Sequence, residues 1–530
     1  RLHLPGEWVF DLQGLPVPPS SHLPGGAEEF TAYSSIALFV LCARRVQTGF
    51  ALSPSNQADV ARICRLAGGM PLGIELAAAW VHLLSCAEIA QEIEQNLDFL
   101  AIARRDLPDR HRSLRAAFDH SWKLLTRAEQ QLFSRLSVFR GGFTREAAQA
   151  VAVATLPLLS SLVTKSLVRR QEERRYELHE LTRQYAANRL HEDEALERTT
   201  HDAHAFYYLS RVAQHHTALK HGGQAEVLVE FESEIDNIHQ AWRWAVAATD
   251  AALVATAVDG LALFYGWRGR YQEGEAACRL ARERLGPSDG SAAEHSALLV
   301  QLLTWQATFC RHLGKMGEAS ALVQEGLRRL ERLAGQQKAS LQAPLRLEQG
   351  RLASETDRPQ AIQLVRQSLE LYEALGDQQG IYALAPNAQS LIGEIARQQG
   401  NLDEARLMAA TSLRLYETLQ DARGIADALL VLNYITMDQG ELDEAERLVR
   451  QRIGLYRQIG DRAGEANAYR ILGHLLRYRG AYRESVRWFD ESLALYTDLG
   501  DRREMAIALA YQAIPRVALG DYAEAKVYGE

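Results

Sequence analysis

"GNLDEAR" (Gly400–Arg406) returns as "GELDEAE" (Gly440–Glu446), "GAYRESV" (Gly480–Val486) and "GDYAEAK" (Gly520–Lys526), a step of 40 residues taken three times. A fixed period of this size marks stacked copies of one supersecondary unit. A second marker keeps the rhythm: "LYEALGD" from Leu371, "LYETLQD" from Leu415, "LYRQIGD" from Leu455 and "LYTDLGD" from Leu495. Its first interval is 44 residues, so one unit carries a four-residue insertion. Weaker copies stand upstream at "GRYQEGEAA" (Gly269), "GKMGEAS" (Gly314) and "TDRPQAI" (Thr356). The spacing predicts two helices per unit around the Gly turn. The glycine takes the left-handed backbone that ends one helix. The small residue five positions on (Ala405, Ala445, Ser485, Ala525), together with Gly393 and Gly473, lets the helices come close, and Leu402, Leu442, Tyr482 and Tyr522 complete the pattern. The fold class is mainly α, with an α-solenoid over 256–530.

These units resemble tetratricopeptide repeats in a 40-residue form with longer helices, the resemblance being strong from about Gly269 onward. The chain stops just inside the second helix of a unit, which would leave an apolar face uncovered, so we expect a solenoid truncated at its C-terminus. Aligning the units sets Asn387, Asp427 and Asn467 in one column of the first helices, with Ser390, Leu430 and Arg470 a turn on, then Tyr434 and His474, then Arg397 and Arg477. In the resembled repeats these columns line the concave face, where Asn and Arg grip peptide backbone or carboxylate. The resemblance therefore implies a protein or peptide ligand at Asn387, Arg397, Tyr434, Asn467, Arg470, His474 and Arg477. A plain solvated inner face is the competing reading.

The 530 residues allow three or four domains. With 47% hydrophobic residues, 24% charged residues and a formal net charge of −8, the composition is that of an ordinary globular protein, with no general pull toward nucleic acid or anionic lipid. Five scattered cysteines (Cys42, Cys64, Cys86, Cys278, Cys310) form no CxxC pair, which fits a reducing, cytoplasmic compartment. No run of about 18 apolar residues suggests a membrane span. The chain opens on Arg1 with a strand-like "RLHLPGEWVFDLQGLPVPPS", and we expect it to be a piece of a longer protein.

Before the repeats, residues 27–105 read as helical throughout after a Pro-rich, extended leader at 1–26. Residues 106–195 then change character. Helices are expected at "SLRAAFDHSWKLL", "RAEQQLFSRLSVF" and "REAAQAVAV", then "LLSSLVTKSLVRR", a turn at "QEE", a strand "RRYEL" and a helix "HELTRQYAANRL". That is the winged-helix order. A helical bridge at 196–255 contains the amphipathic "FESEIDNIHQAWRWAVAA" from Phe231.

Within the helical segment, "LAGGMPLGIELAAAW" (Leu66–Trp80) sets two glycines and a proline ahead of an apolar helix. Local chemistry explains them: Gly68 and Gly69 end one helix, and Pro71 opens the next at a position where its missing N–H costs nothing. The surroundings also resemble the NB-ARC module of signal-transduction ATPases with numerous domains (STAND proteins), such as bacterial regulators and immune switches. In that family a Gly-x-Pro turn of the helical lid packs its proline on adenine; Gly69, Met70 and Pro71 match it. A Met-His-Asp sequence opens the last winged-helix helix there, and its histidine contacts the β-phosphate of ADP. Leu178, His179 and Glu180 occupy that place, with Leu for Met and Glu for Asp. "RHRSLRAAFDHSWKLLTRAEQQLFSRLSVFRGGFTREAA" from Arg110 is similar to the winged-helix entry of these regulators, and "FESEIDNIHQAWRWA" to their bridge into the repeats. The plainer reading of His179 is a half-buried histidine at a helix start, capping nothing.

No GxxxxGK[ST] occurs in the sequence, nor an apolar strand ending in paired acids for Mg2+. The resemblance puts both upstream of "LPGEWVFDLQGL". This stretch of chain is therefore not expected to hydrolyse ATP, whereas a full-length parent would be a slow ATPase binding ADP or ATP, the latter with Mg2+. Arg169, Arg170, Arg174, Arg175 and Lys165 could meet DNA phosphates. The helix that would enter the major groove, "TLPLLSSLVTK", has almost nothing to read base edges, and Glu172 and Glu173 stand at the wing tip, so DNA binding by this element is not expected. His201 and His204 in "HDAH", with His215, His216 and His221, read as a solvated helix face rather than a metal site. No catalytic residue is assigned. The expected function is a nucleotide-switched regulator: repeats sensing a partner, lid and winged helix holding ADP in the off state, and self-assembly on activation. The alternatives are an interaction scaffold without nucleotide switching and a winged-helix transcription regulator.

Overall fold

The computed structural model describes residues 14–19, 30, 32–95, 114–171, 175–220, 224–286, 293–354, 356–375, 391–499 and 501–529. The "LPGEWVFDLQGL" strand, Arg174, Asn387 and the four-residue insertion between Leu371 and Leu415 lie wholly or partly outside them. The chain divides into two compact units, at 1–207 and 208–530.

In the first unit, α1 (Ser34–Val46), α2 (Gln57–Leu66), α3 (Pro71–Ala78) and α4 (Cys86–Gln95) form the helical segment ahead of the winged helix, with α1 on α3 and α2 on α4. Its core is Ile36, Phe39, Val60, Ile63, Ile74, Ile89 and Ile93, all fully buried. The segment is not helical throughout: connections at 47–56 and 79–85 interrupt it.

The winged helix follows. It comprises α5 (Leu114–Lys123), α6 (Arg127–Arg135), β1 (Phe143–Thr144), α7 (Arg145–Ala152), α8 (Leu156–Thr164), β2 (Arg169–Arg170), β3 (Arg175–Glu177) and α9 (Glu180–His191). The sheet order β1-β3-β2 is antiparallel at both joins, with Phe143 opposite Tyr176 and Arg169 opposite Glu177. Thr126 and Glu129 form a reciprocal capping box at the start of α6, satisfying backbone donors that a helix start leaves open. Phe139 stacks on Phe143 with ring centroids 4.5 Å apart, closing the core behind the sheet.

In the second unit the bridge helix α10 (Glu194–Lys220), which contains the boundary, is followed by α11 (Gln224–Ala247), so the helix expected from Phe231 starts earlier. Helical hairpins then run through α12 (Ala251–Trp267), α13 (Tyr271–Leu285), α14 (Ala293–His312), α15 (Met316–Leu330), α16 (Gly335–Ala353) and α17 (Arg358–Leu375). After a helical stretch at 391–398 come α18 (Leu402–Leu419), α19 (Ala422–Asp438), α20 (Leu442–Ile459), α21 (Arg462–Tyr478), α22 (Tyr482–Leu499), α23 (Arg502–Leu519) and α24 (Tyr522–Gly529).

The repeat chemistry is as the spacing requires. Gly400, Gly440, Gly480 and Gly520 all have positive φ, from 76° to 89°. Ala405, Ala445, Ser485 and Ala525 are buried, and a Cβ at Gly473 would stand 3.1 Å from both Phe489 and the Ser485 carbonyl. The Asp that ends the second marker caps the next helix: Asp421, Asp461 and Asp501 accept backbone N–H bonds from Gly424, Gly464 and Glu504. The marker tyrosine packs on the glycine after it, Tyr416 on Gly424 and Tyr456 on Gly464.

Candidate functional site

Two left-handed glycines end α2: Gly68 (φ +58°) and Gly69 (φ +65°), whose N–H groups donate to the carbonyls of Arg65 and Cys64. Pro71 is the first residue of α3, and its ring is exposed. The leader lies on this turn. Leu15 N–H donates to the Gly69 carbonyl at 2.8 Å, and a Cβ on Gly69 would stand 2.1 Å from the Leu15 carbonyl oxygen. Ser35 Oγ donates to the Pro16 carbonyl and Arg65 to the Pro18 carbonyl, so the leader is fixed along α1 and α2.

His179 arrives at the same turn from the winged helix. A Cβ on Gly68 would fall 1.5 Å from His179 Nε2 and 2.3 Å from Cδ2, so the imidazole occupies the space that the missing side chain leaves. His179 is the N-cap of α9, and its Nδ1 accepts from Leu181 N–H at 3.3 Å. This corrects the expectation that it caps nothing. With Nδ1 accepting, the proton of the neutral ring sits on Nε2, the edge bordering Gly68. Burial, assisted by the Arg169 charge and opposed by Glu180, lowers the His179 pKa to about 4, so the ring is neutral at pH 7. The neighbouring turn of α9 fixes its position: Arg183 grips Glu180, and Gln184 Nε2 donates to the carbonyls of Ile93 and Glu94 at the end of α4. The structure thus brings together Gly68 and His179, whereas Gly69 packs on Leu15 of the leader and Pro71 opens α3 two residues further on. The sequence reading missed Gly68 and the leader residues Gly14 and Leu15; the only signal for Gly68 was the doublet itself.

The repeat columns form a second cluster. Arg397 Nη1 donates to Asp438 at 2.7 Å and its guanidinium lies 4.9 Å from the Tyr434 ring centroid. Asn467 Oδ1 accepts from the buried Arg452, which also donates to the Ala426 carbonyl. Arg470 sits 3.8 Å from Glu504 and 5.9 Å from the Tyr511 ring centre. His474 Nε2 accepts from Arg477 at 2.9 Å, and its ring meets Tyr478 and Tyr511 edge-on. These side chains contact one another or the adjoining unit. Arg452, Glu504 and Tyr511 were not anticipated: Arg452 comes from a second helix, and Glu504 and Tyr511 from α23, the first helix one unit beyond the aligned residues.

Other assignments are revised. Lys165, a candidate phosphate contact, is held 2.7 Å from Glu129, to which Ser161 also donates. Arg169 and Arg170 are exposed, while Arg175 is half-buried. The "HDAH" pair is no solvated face: His204 is fully buried with its ring 5.4 Å from Phe139, and burial lowers the His201 pKa. All five cysteines are buried and unbridged. Among the described residues no single helix is long and apolar enough to cross a membrane.

The fold joins a winged helix to a tetratricopeptide-like solenoid. A family model described as a winged helix-turn-helix domain matches residues 125–191. A Mycobacterium tuberculosis protein whose name describes it as an HTH-type transcriptional regulator is 35% identical over 294 residues, 52% of this chain and 32% of that protein. The chain thus spans about a third of the length of that relative. Among solved structures, a STAND protein with a tetratricopeptide repeat sensor from Pyrococcus horikoshii aligns over 95% of this chain and 72% of its own, with a TM-score of 0.41 and 13% identity. A Rap protein complexed with competence and sporulation factor covers 59% of this chain and 95% of its own, with a TM-score of 0.41 and 11% identity. Structural likeness at that level decides nothing about function.

Proposed function

We propose that this chain is the lid, winged-helix and sensor part of a nucleotide-switched regulator, in which Gly69, Pro71 and His179 border an adenine nucleotide and the repeats take a protein or peptide ligand. The observation that carries this reading is the imidazole of His179 seated on Gly68, which joins two elements more than 100 residues apart at one turn. The residues suit ADP chemically. A neutral Nε2–H is a donor for a phosphate oxygen, and the exposed Pro71 ring offers an apolar surface for a base. ADP bound across lid and winged helix would favour the closed arrangement, and a ligand preferring the open one would shift the population. ATP with Mg2+, slow hydrolysis and assembly on activation belong to the whole protein on this reading.

Transcription is the output suggested by the relative's name, but α8 is poorly equipped to read DNA. The exposed residues at its start are Thr155, Leu156, Pro157 and Ser160, and Lys165 is engaged by Glu129. The test is ADP release from the full-length protein. His179→Ala should speed release of a fluorescent ADP, and release at the wild-type rate removes the nucleotide reading.

A further inference from the structure

The solenoid closes on itself. The turn from Trp267 to Tyr271, between α12 and α13, lies against the edge where the later helices α19, α21 and α23 begin. Arg268 Nη1 donates to the Gly460 carbonyl at 2.8 Å across 192 residues of sequence, and its Nε lies 3.0 Å from Glu232. A Cβ at Gly269 would sit 3.5 Å from Ala463 and 3.6 Å from Leu499. The Trp267 ring centre is 5.9 Å from the Arg423 guanidinium, which lies 3.2 Å from the buried Asp461 carboxylate without hydrogen-bond alignment. Tyr271, stacked 4.6 Å from His312, feels the charges of Arg423, Asp461 and Asp501. Helix α11 also touches α20.

This contact has the composition of a recognition site more than of a core. Its centre is one guanidinium on a free carbonyl beside a row of carboxylate caps, flanked by a Trp and a Tyr, the residue types enriched where proteins bind each other. The corresponding turn at Tyr478–Tyr482 shows the ordinary alternative: Arg479 pairs with Asp443 and Glu446 of the preceding unit, and Tyr478 is exposed. Only the first hairpin sends its arginine across the solenoid to another edge among the described residues.

We propose that the edge formed by Gly460, Asp461, Ala463 and Leu499 is a receptor for a protein segment carrying an arginine between aromatic residues, that Trp267–Tyr271 occupies it as a tethered stand-in, and that a partner segment binds by displacing this turn. The inference rests on the reading that the repeats take a protein ligand and names that ligand's chemistry. Displacement would free α11 and α12 from the later repeats and so register binding in the bridge.

The test uses the whole chain and a fluorescein-labelled peptide of residues 263–275. Arg268→Ala should raise hydrogen exchange at the amides of residues 461–465 and bind the peptide at least about tenfold more tightly than wild type, because the tethered turn competes in the native chain. Ala463→Trp, which fills the seat of the turn, should raise the same exchange but bind no peptide. Circular dichroism establishes that both variants keep their helices, and Arg268→Lys serves as a milder second opening. Unchanged exchange in all three variants overturns the proposal, as does raised exchange with no peptide binding by Arg268→Ala. Dimerisation on opening, with the peptide unable to compete, would assign the edge to a second copy and overturn it equally. ADP release from the His179→Ala protein is independent of all these outcomes, so failure there leaves this edge standing.

Discussion

The His179 imidazole stands where a side chain at position 68 would have to go. Gly68 is therefore constrained twice, by its left-handed φ of +58° and by the ring. Gly68→Ala should destabilise the joint between the α2–α3 turn and the winged helix by about 2 to 4 kcal/mol, combining backbone strain with overpacking. His179→Ala in the same chain should recover the steric part and leave about 1 kcal/mol of backbone strain. Hydrogen exchange across α2 and α9 measures both. Strict additivity of the two substitutions would mean that ring and turn do not meet.

The repeat glycines divide into two kinds that a count cannot distinguish. Gly440 has φ +79° with open space where a Cβ would stand, whereas Gly464 lies inside α21 with the Tyr456 ring 2.4 Å from that point. Gly440→Ala should cost about 1 kcal/mol, the strain of one left-handed residue. Gly464→Ala should cost about 1 to 3 kcal/mol through displacement of the buried Tyr456, and Tyr456→Leu should relieve most of that added cost. Urea unfolding of the three single variants and of Gly464→Ala with Tyr456→Leu, followed by exchange at α20 and α21, decides whether the two glycines differ in this way.

These two glycines also mark how far the sequence could be read. Gly440 stands out because its neighbours recur at the same offsets, so helix pairing follows from local chemistry alone. The Arg268–Gly460 contact spans 192 residues and depends on the accumulated rotation of every hairpin between, which no local spacing encodes. His179 and the Gly-x-Pro turn were joined in advance only through a family resemblance; nothing in their own periodicity brings them together. Asn467 was legible as a member of a column, but its partner Arg452 belongs to the other helix of the pair and repeats at no matching offset.

Glu129 should make the winged helix acid-sensitive. Burial alone would raise its pKa, but bonds from Lys165, Ser161 and Thr126 win and bring it down to about 2. A carboxyl depressed in the folded state contributes stability that is present above its ordinary value near 4.5 and lost as pH falls toward 2. After allowance for solvent screening of a pair whose lysine is partly exposed, Glu129→Gln should cost about 1 to 2 kcal/mol at pH 7 and nearly nothing at pH 2. Exchange protection of α6 and α8 at both pH values checks this, and an equal loss at pH 2 would assign the effect to shape rather than charge.

His474, in the rung with Arg470 and Arg477, should add acid sensitivity in a higher pH window. Burial first, then the charges of Arg477 and Arg470, lower the His474 pKa to about 4. A histidine depressed in this way favours the folded state when neutral. Between its ordinary value of 6.5 and about 4 the unfolded chain takes up the proton more readily, so stability is complete above pH 6.5 and declines as pH falls through that window. The His474 ring resonance should therefore titrate with a midpoint near 4 in the folded chain. Arg477→Ala removes one repelling charge and leaves burial in place, so the midpoint should rise but stay below 6.5. It also removes the donor that holds Nε2, freeing the ring to turn away from Tyr511. If the repeat face takes a peptide carboxylate, that ligand adds negative charge beside the same ring and should raise the midpoint further in wild type than in Arg470→Ala, where one of the two cationic anchors is gone. A midpoint already at 6.5 in the unliganded chain would mean that His474 is open to water and that the rung does not form.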